Sequence, residues 1–154
     1  MAHLEMAVSG STAAEGGPEP VAELGSLART TVDHWADAVD AALEPCLVVT
    51  HEAIIAAASV AACRLLGFAS QEEAVGKCLY DGVLPLVDFT AAANVLPDSE
   101  LGKLPAVQAL NTARLARGLL RVRRDSEVLT IDAVATPLME GERIVGALSF
   151  FCQV

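Results

Sequence analysis

The side chains of this 154-residue chain that could carry chemistry are four cysteines, three histidines and one aspartate inside a strand-like run. Cys46, Cys63, Cys78 and Cys152 have no Cys-x-x-Cys spacing and no histidine placed to complete a zinc set, so no metal site is expected. Cys46 and Cys152 sit in apolar strand patterns and Cys63 in an alanine-rich helical run, where a thiol serves as a small core residue. His34 falls near the polar side of a helical segment and His51 in a turn, and both read as solvated. No Ser/His/Asp order, glycine-rich phosphate loop or carboxylate pair stands in a context that supports catalysis. Asp132 is the exception, because an acid projecting from a strand into a cavity can act as a base. Its alternation with Thr130 and Thr136 fits a solvent face better. A small enzyme with Asp132 as acid or base therefore stands as the alternative to a module with no catalytic residue, and a purely structural interaction domain stands beside it.

Composition sets the outer limits. Hydrophobic residues make up 53% of the chain and charged ones 19%, which is a globular composition with enough length for one domain. The formal net charge of −10 argues against general affinity for nucleic acid or for an anionic membrane. No run approaches a membrane span and the first twenty residues lack the apolar core of a secretory signal, so a reduced, cytoplasmic setting is expected. The positive charge is concentrated at Arg114, Arg117, Arg121, Arg123 and Arg124, read as a solvated helix end and strand face.

These residues must be positioned by elements that the hydrophobic pattern reveals. Residues 1–20 read as a low-complexity arm, disordered or left over from cloning. Residues 21–43 predict an amphipathic helix, with Leu24, Leu27, Ala28, Val32, Trp35 and Val39 on one side. That stripe packs either on its own domain or on a second chain. A short hairpin over 46–56 turns at His51-Glu52, and Ser59 caps a helix that Gly67 stops. Ser70 with Glu73 forms a capping box for another short helix ended by Gly76. Residues 77–103 carry little pattern, with Asp88 as the cap of a turn of helix over 89–95. Pro105 opens a helix predicted to reach Arg117, with Gly118 as its stop. Three strands over 119–123, 128–138 and 144–154 then close the chain, the last two alternating strictly. The expected fold is α+β: a five-stranded antiparallel sheet with short helices on one face and a flanking N-terminal helix, the domain proper covering 44–154.

Four pieces of this pattern at this spacing resemble the PAS domain family of bacterial sensory and regulatory proteins. They are Ile54-Ile55-Ala56-Ala57-Ala58-Ser59-Val60-Ala61-Ala62-Cys63-Arg64-Leu65-Leu66-Gly67-Phe68; Ser70-Gln71-Glu72-Glu73-Ala74-Val75-Gly76-Lys77; residues 123–138; and Ile144-Val145-Gly146-Ala147. Family members commonly carry asparagine where Ser59 stands and an Asp-Gly turn where His51-Glu52 stands. Both replacements here keep the structural task. The resemblance implies a sheet curled around the short helices, a cavity between them for a small molecule, and dimerisation through the flanking helix and the sheet. It also implies an output domain beyond Val154, so that the chain is expected to be a sensor segment of a longer signalling protein.

The cofactors of such domains can be checked residue by residue. Flavin photosensors of this kind carry a Gly-Arg-Asn-Cys-like run. In Gly76-Lys77-Cys78 the cysteine comes one residue early, a rotation of about 100° on a helix, which argues against flavin. Haem needs an axial histidine, and the helix from Pro105 has none. No cofactor is therefore expected, and a small apolar ligand or none would fill the cavity. The candidate lining is Leu47 and Val49 from the first strand, Ile55 from the second and Leu66 from the first capped helix. Leu110 and Asn111 come from the helix after Pro105, and Ile131, Ala133, Leu148 and Phe150 from the last strands. Alanines at 133 and 135 leave volume that either close helix packing or a ligand must occupy.

Overall fold

A computed structural model describes residues 28–154. The arm over 1–20, and Leu24 and Leu27 of the expected flanking helix, lie outside the described residues. Residues 28–30 take no regular structure, and residues 31–154 form one compact unit.

That unit begins with α1 (Thr31–Ala41), shorter than the expected 21–43 helix at both ends. Ala28 stands outside it and is exposed, and so is Leu43 beyond its end. Among the described residues the strands form one antiparallel sheet in the order β2-β1-β6-β5-β4-β3. Its members are β1 (Cys46–Thr50), β2 (Ile55–Ala58), β3 (Leu86–Val87), β4 (Ala116–Arg124), β5 (Glu127–Glu140) and β6 (Arg143–Gln153). Six strands stand where five were expected, because Leu86 and Val87 pair with Val122 and Arg121 at the β4 edge. β1 lies beside β6, so the first and last strands of the domain are neighbours at the centre.

Caps and turns decide these boundaries. Ala53 adopts a left-handed φ of 62° and the hairpin loop runs on to Ile54, which shifts β2 two residues beyond the expected 53–56. Ser59 then caps α2 (Val60–Leu66), its hydroxyl accepting from the Ala62 amide at 3.1 Å, and Gly67 ends the helix in the left-handed region. Ser70 caps α3 (Gln71–Ala74), and the Glu73 carboxylate reaches back ahead of the helix, where it accepts from the Ala69 amide beside the cap. α4 (Pro105–Thr112) stops five residues short of Arg117, because Ala113 turns left-handed and the chain enters β4 at Ala116. Gly118 is thus a strand residue. The expected turn of helix after Asp88 is a loop: the Asp88 carboxylate accepts from the Thr90 and Asn94 amides, and Val87 bridges to Val95.

The sheet has two apolar faces. The inner one carries Leu47, Val49, Ile131, Ala133, Ala135, Ala147 and Phe151, covered by α2, α4 and the 79–104 segment. α4 packs on β5 and β6, where alanines on both sides allow close approach, so tight helix packing takes most of the volume left by Ala133 and Ala135. The outer face is covered at one end by α1. Val39, with Ala36 and Val32 one and two turns back, packs on Cys46, Val48, Ala57, Leu138 and Leu148. Gly146 marks where this layer is tightest. A Cβ there would collide with the Val49 carbonyl oxygen and lie 3.1 Å from Val32 Cγ2, so glycine is required by the close approach of β1.

Candidate functional site

Between the inner face and its helices lies an apolar cavity of about 20 Å³, room for about one water molecule. Leu47, Leu120, Ala133, Ser149 and Phe151 of the sheet form its floor. Its other walls are Leu79, Leu84 and the start of α4 at Leu104, Pro105 and Ala106. No titratable group lines it. Ser149 is 1% exposed, and its hydroxyl is the one buried side-chain polar atom without a hydrogen-bond partner among the described residues. Such a group is costly unless something supplies the missing bond.

The expected pocket residues divide accordingly. Leu47 and Ala133 line the cavity; Val49, Ile55, Leu66 and Ile131 belong to the same core without reaching it, and Leu110 packs at its margin. Asn111 is exposed at the end of α4, because the helix turns its buried side through Ala106, Val107 and Ala109. Leu148 and Phe150 belong to the opposite face and are corrected here. β6 pairs with β1 as Leu47 opposite Ser149 and Val48 opposite Leu148, which turns Ala147, Ser149 and Phe151 inward. Both parities of β6 are apolar because both faces of its first half are buried, so alternation alone did not choose between them. Leu79 and Leu84 were missed for another reason: they sit in irregular chain that has no period to read.

Of the stripe expected to form a dimer contact, Val32 and Val39 pack within the domain, Ala28 is exposed, and Leu24 and Leu27 lie outside the described residues. Val39 is 2% exposed and Val32 half-buried against the sheet, whereas Trp35 remains 40% exposed. Among the described residues no helix covers the other half of the outer face. There Leu119, Val134 and Phe150 stand in neighbouring register on β4, β5 and β6, with Leu119 54% and Phe150 45% exposed. Asp132 lies among them, facing away from the cavity. Arg117 Nε donates to its carboxylate at 3.0 Å, and this pairing holds the carboxyl below the usual aspartate range. A base poised in a pocket would need the opposite shift, so the geometry does not place Asp132 for acid–base work.

The remaining arginines do more than solvate a surface. Arg121 donates to the carbonyls of Asp88 and Thr90, Arg123 to that of Ala93 and Arg124 to that of Arg64, pinning the irregular segment and α2 to β4. Nothing in sequence spacing marked these long-range bonds. Burial raises the thiols of Cys46 and Cys63 above their ordinary range, which keeps both unreactive. Cys78 lies by the hairpin turn, its Sγ 3.7 Å from the Glu52 carbonyl, outside the cavity lining. Among the described residues no helix is long and apolar enough to cross a membrane.

No family model and no curated protein matches the chain. Solved structures do. The PAS domain of a protein from Colwellia psychrerythraea is similar over 81% of this chain and 98% of its own, at 18% identity and a TM-score of 0.55. The PAS domain of BvgS from Bordetella pertussis is similar over 81% of this chain and 86% of its own, at 9% identity and a TM-score of 0.54. A dimer of VqmA from Vibrio cholerae is similar over 82% of this chain at 16% identity and a TM-score of 0.57; the match spans 52% of that chain. The strand order, the short helices packed on the inner face and these likenesses agree: the chain has the PAS fold.

Proposed function

We propose that the chain is a non-catalytic sensory and dimerisation module of a bacterial signalling or regulatory protein, cytoplasmic, binding a small apolar molecule between its sheet and helices. The observation that carries this reading is the placement of β6. Its inward residues Ser149 and Phe151 floor the cavity, and its outward Phe150 stands on the bare half of the opposite face. A molecule that prefers one arrangement of this strand shifts the population of surfaces offered on the far side. A second copy is the natural cover for Leu119, Val134 and Phe150. A two-fold contact there is self-complementary, since Arg117 and Asp132 present both signs of charge. VqmA supports the reading by likeness: it has been solved as a dimer and bound to DPO. The four unpaired cysteines fit a reducing compartment.

Native mass spectrometry of the purified chain, beside denaturing mass spectrometry, tests both halves. The expected result is a dimer carrying extra mass that denaturation releases. A bare monomer at every concentration contradicts the reading. A second reading, an interaction domain that binds no small molecule, is favoured by the smallness of the cavity; it is met by a dimer without extra mass.

A further inference from the structure

The outer edge of β4 is covered over only part of its length. β3 pairs with it at Arg121 and Val122, and Pro85, just ahead of β3, accepts from the Arg123 amide at 2.8 Å. That bond fixes the parity: Arg123, Arg121, Leu119 and Arg117 turn their main-chain groups toward this side, while Gly118 and Leu120 turn theirs toward β5. β3 answers Arg121. Beyond it the chain turns away from β4 at Asp88, whose amide donates to the Asn94 carbonyl, and among the described residues no strand lies beside Leu119 and Arg117. An open row of amides and carbonyls is a template for another strand.

The ground beside this row suits particular side chains. A strand continuing in the direction of β3 would set one residue opposite Leu120 and the next opposite Leu119. Opposed residues share a face, so the first points to the inner side, where a pocket of about 220 Å³ opens between Leu86, Leu96, Leu104 and Leu120. The second points to the outer side, between Arg117 and Arg121. Arg117 is paired with Asp132, but Arg121 donates to the carbonyls of Asp88 and Thr90, which leaves its charge without an answering carboxylate among the described residues. A second copy suits this edge badly, because antiparallel pairing about Leu119 would set Arg117 opposite Arg121, like charges face to face.

We propose that the open edge of β4 takes an extended segment of another protein, added antiparallel as a further strand. Its recognition element is an apolar residue followed by an acidic one: the apolar side chain enters the pocket beside Leu120, and the carboxylate meets Arg121. The main chain of the acidic residue exchanges both hydrogen bonds with Leu119. This site goes beyond the sensory reading and needs neither the inner cavity nor the two-fold contact.

The probe is the capped peptide acetyl-Ser-Leu-Glu-Val-Thr-amide, titrated into the full chain and followed by amide chemical shifts and hydrogen exchange. The Leu119 and Arg117 amides should shift, and that of Leu119 should slow in exchange. N-methylation of the peptide's glutamate, which removes the donor to the Leu119 carbonyl, should weaken binding about tenfold. Lysine in place of that glutamate should weaken it about fivefold. Leu119→Pro removes the edge amide without touching the bonds to β5, and should abolish binding in a chain whose far-ultraviolet spectrum is unaltered. Undiminished binding of the N-methylated or the lysine peptide overturns the inference, as does a parent peptide that leaves both amides unmoved. A Leu119 amide already slow in the chain alone, and faster on dilution, would assign the edge to a second copy and overturn it too.

Discussion

Leu148 and Phe150 are two residues apart on one strand and point to the same side of the sheet, yet one is 4% exposed and the other 45%. The difference is α1. Over β2, β1 and the first half of β6 the helix supplies Val32, Ala36 and Val39, and the outer face becomes a second core. Over β4, the first half of β5 and the end of β6 no described element replaces it, and a leucine, a valine and a phenylalanine share the surface with one ion pair. The two halves teach that an apolar strand face has no fixed fate: the covered half becomes a second core, and the other half keeps its apolar side chains exposed.

The largest expected effect lies on the covered half. Gly146→Val drives side-chain atoms into the Val49 carbonyl and Val32, and should cost about 3 kcal/mol or more in urea unfolding. Leu148→Ala should cost about 2–3 kcal/mol in the same measurement, whereas Phe150→Ala, on the bare half, should change monomer stability by less than about 0.5 kcal/mol. Similar losses from these two residues would erase the distinction between the halves. Ser59→Ala comes next, at about 2 kcal/mol by thermal or chemical unfolding. Its buried hydroxyl caps α2, accepts from the Cys46 amide at 3.0 Å and donates to the Glu44 carbonyl at 2.7 Å, tying α2 to the start of β1.

The smallest effect belongs to the ion pair on the bare half. Arg117 depresses the Asp132 carboxyl in the folded chain, so the contribution is present above the unfolded aspartate value and is lost as pH falls through the lower folded value. A carbon-detected titration should find Asp132 titrating below ordinary aspartates, and Arg117→Met should return it to the ordinary range. An unchanged titration in that variant would show that Arg117 is not the cause.

Much of the fold was legible in the sequence because local chemistry spoke for it. Ser59 and Gly67 bound α2 as expected, and the strict alternation of residues 128–138 and 144–154 gave β5 and β6. The errors fall where local signals compete or vanish. Pro105 and Gly118 suggested a long helix, but Ala113 turned left-handed and the strand began early, as the sheet needed β4 to reach Ala135. β3 and the Asp88 loop are held by Arg121 and Arg123 from across the domain, contacts that no local window contains. The site suffered most. Its floor depended on which parity of β6 faces inward, and with both parities apolar only the β1–β6 register decides.

Sedimentation velocity of the full chain against Phe150→Asp tests the central claim most directly, since this exposed position can take a charge without disturbing the core. The account expects a dimer for the unaltered chain and a folded monomer for the variant. A variant that dimerises as strongly as the parent would show that the bare half of the sheet is not the contact.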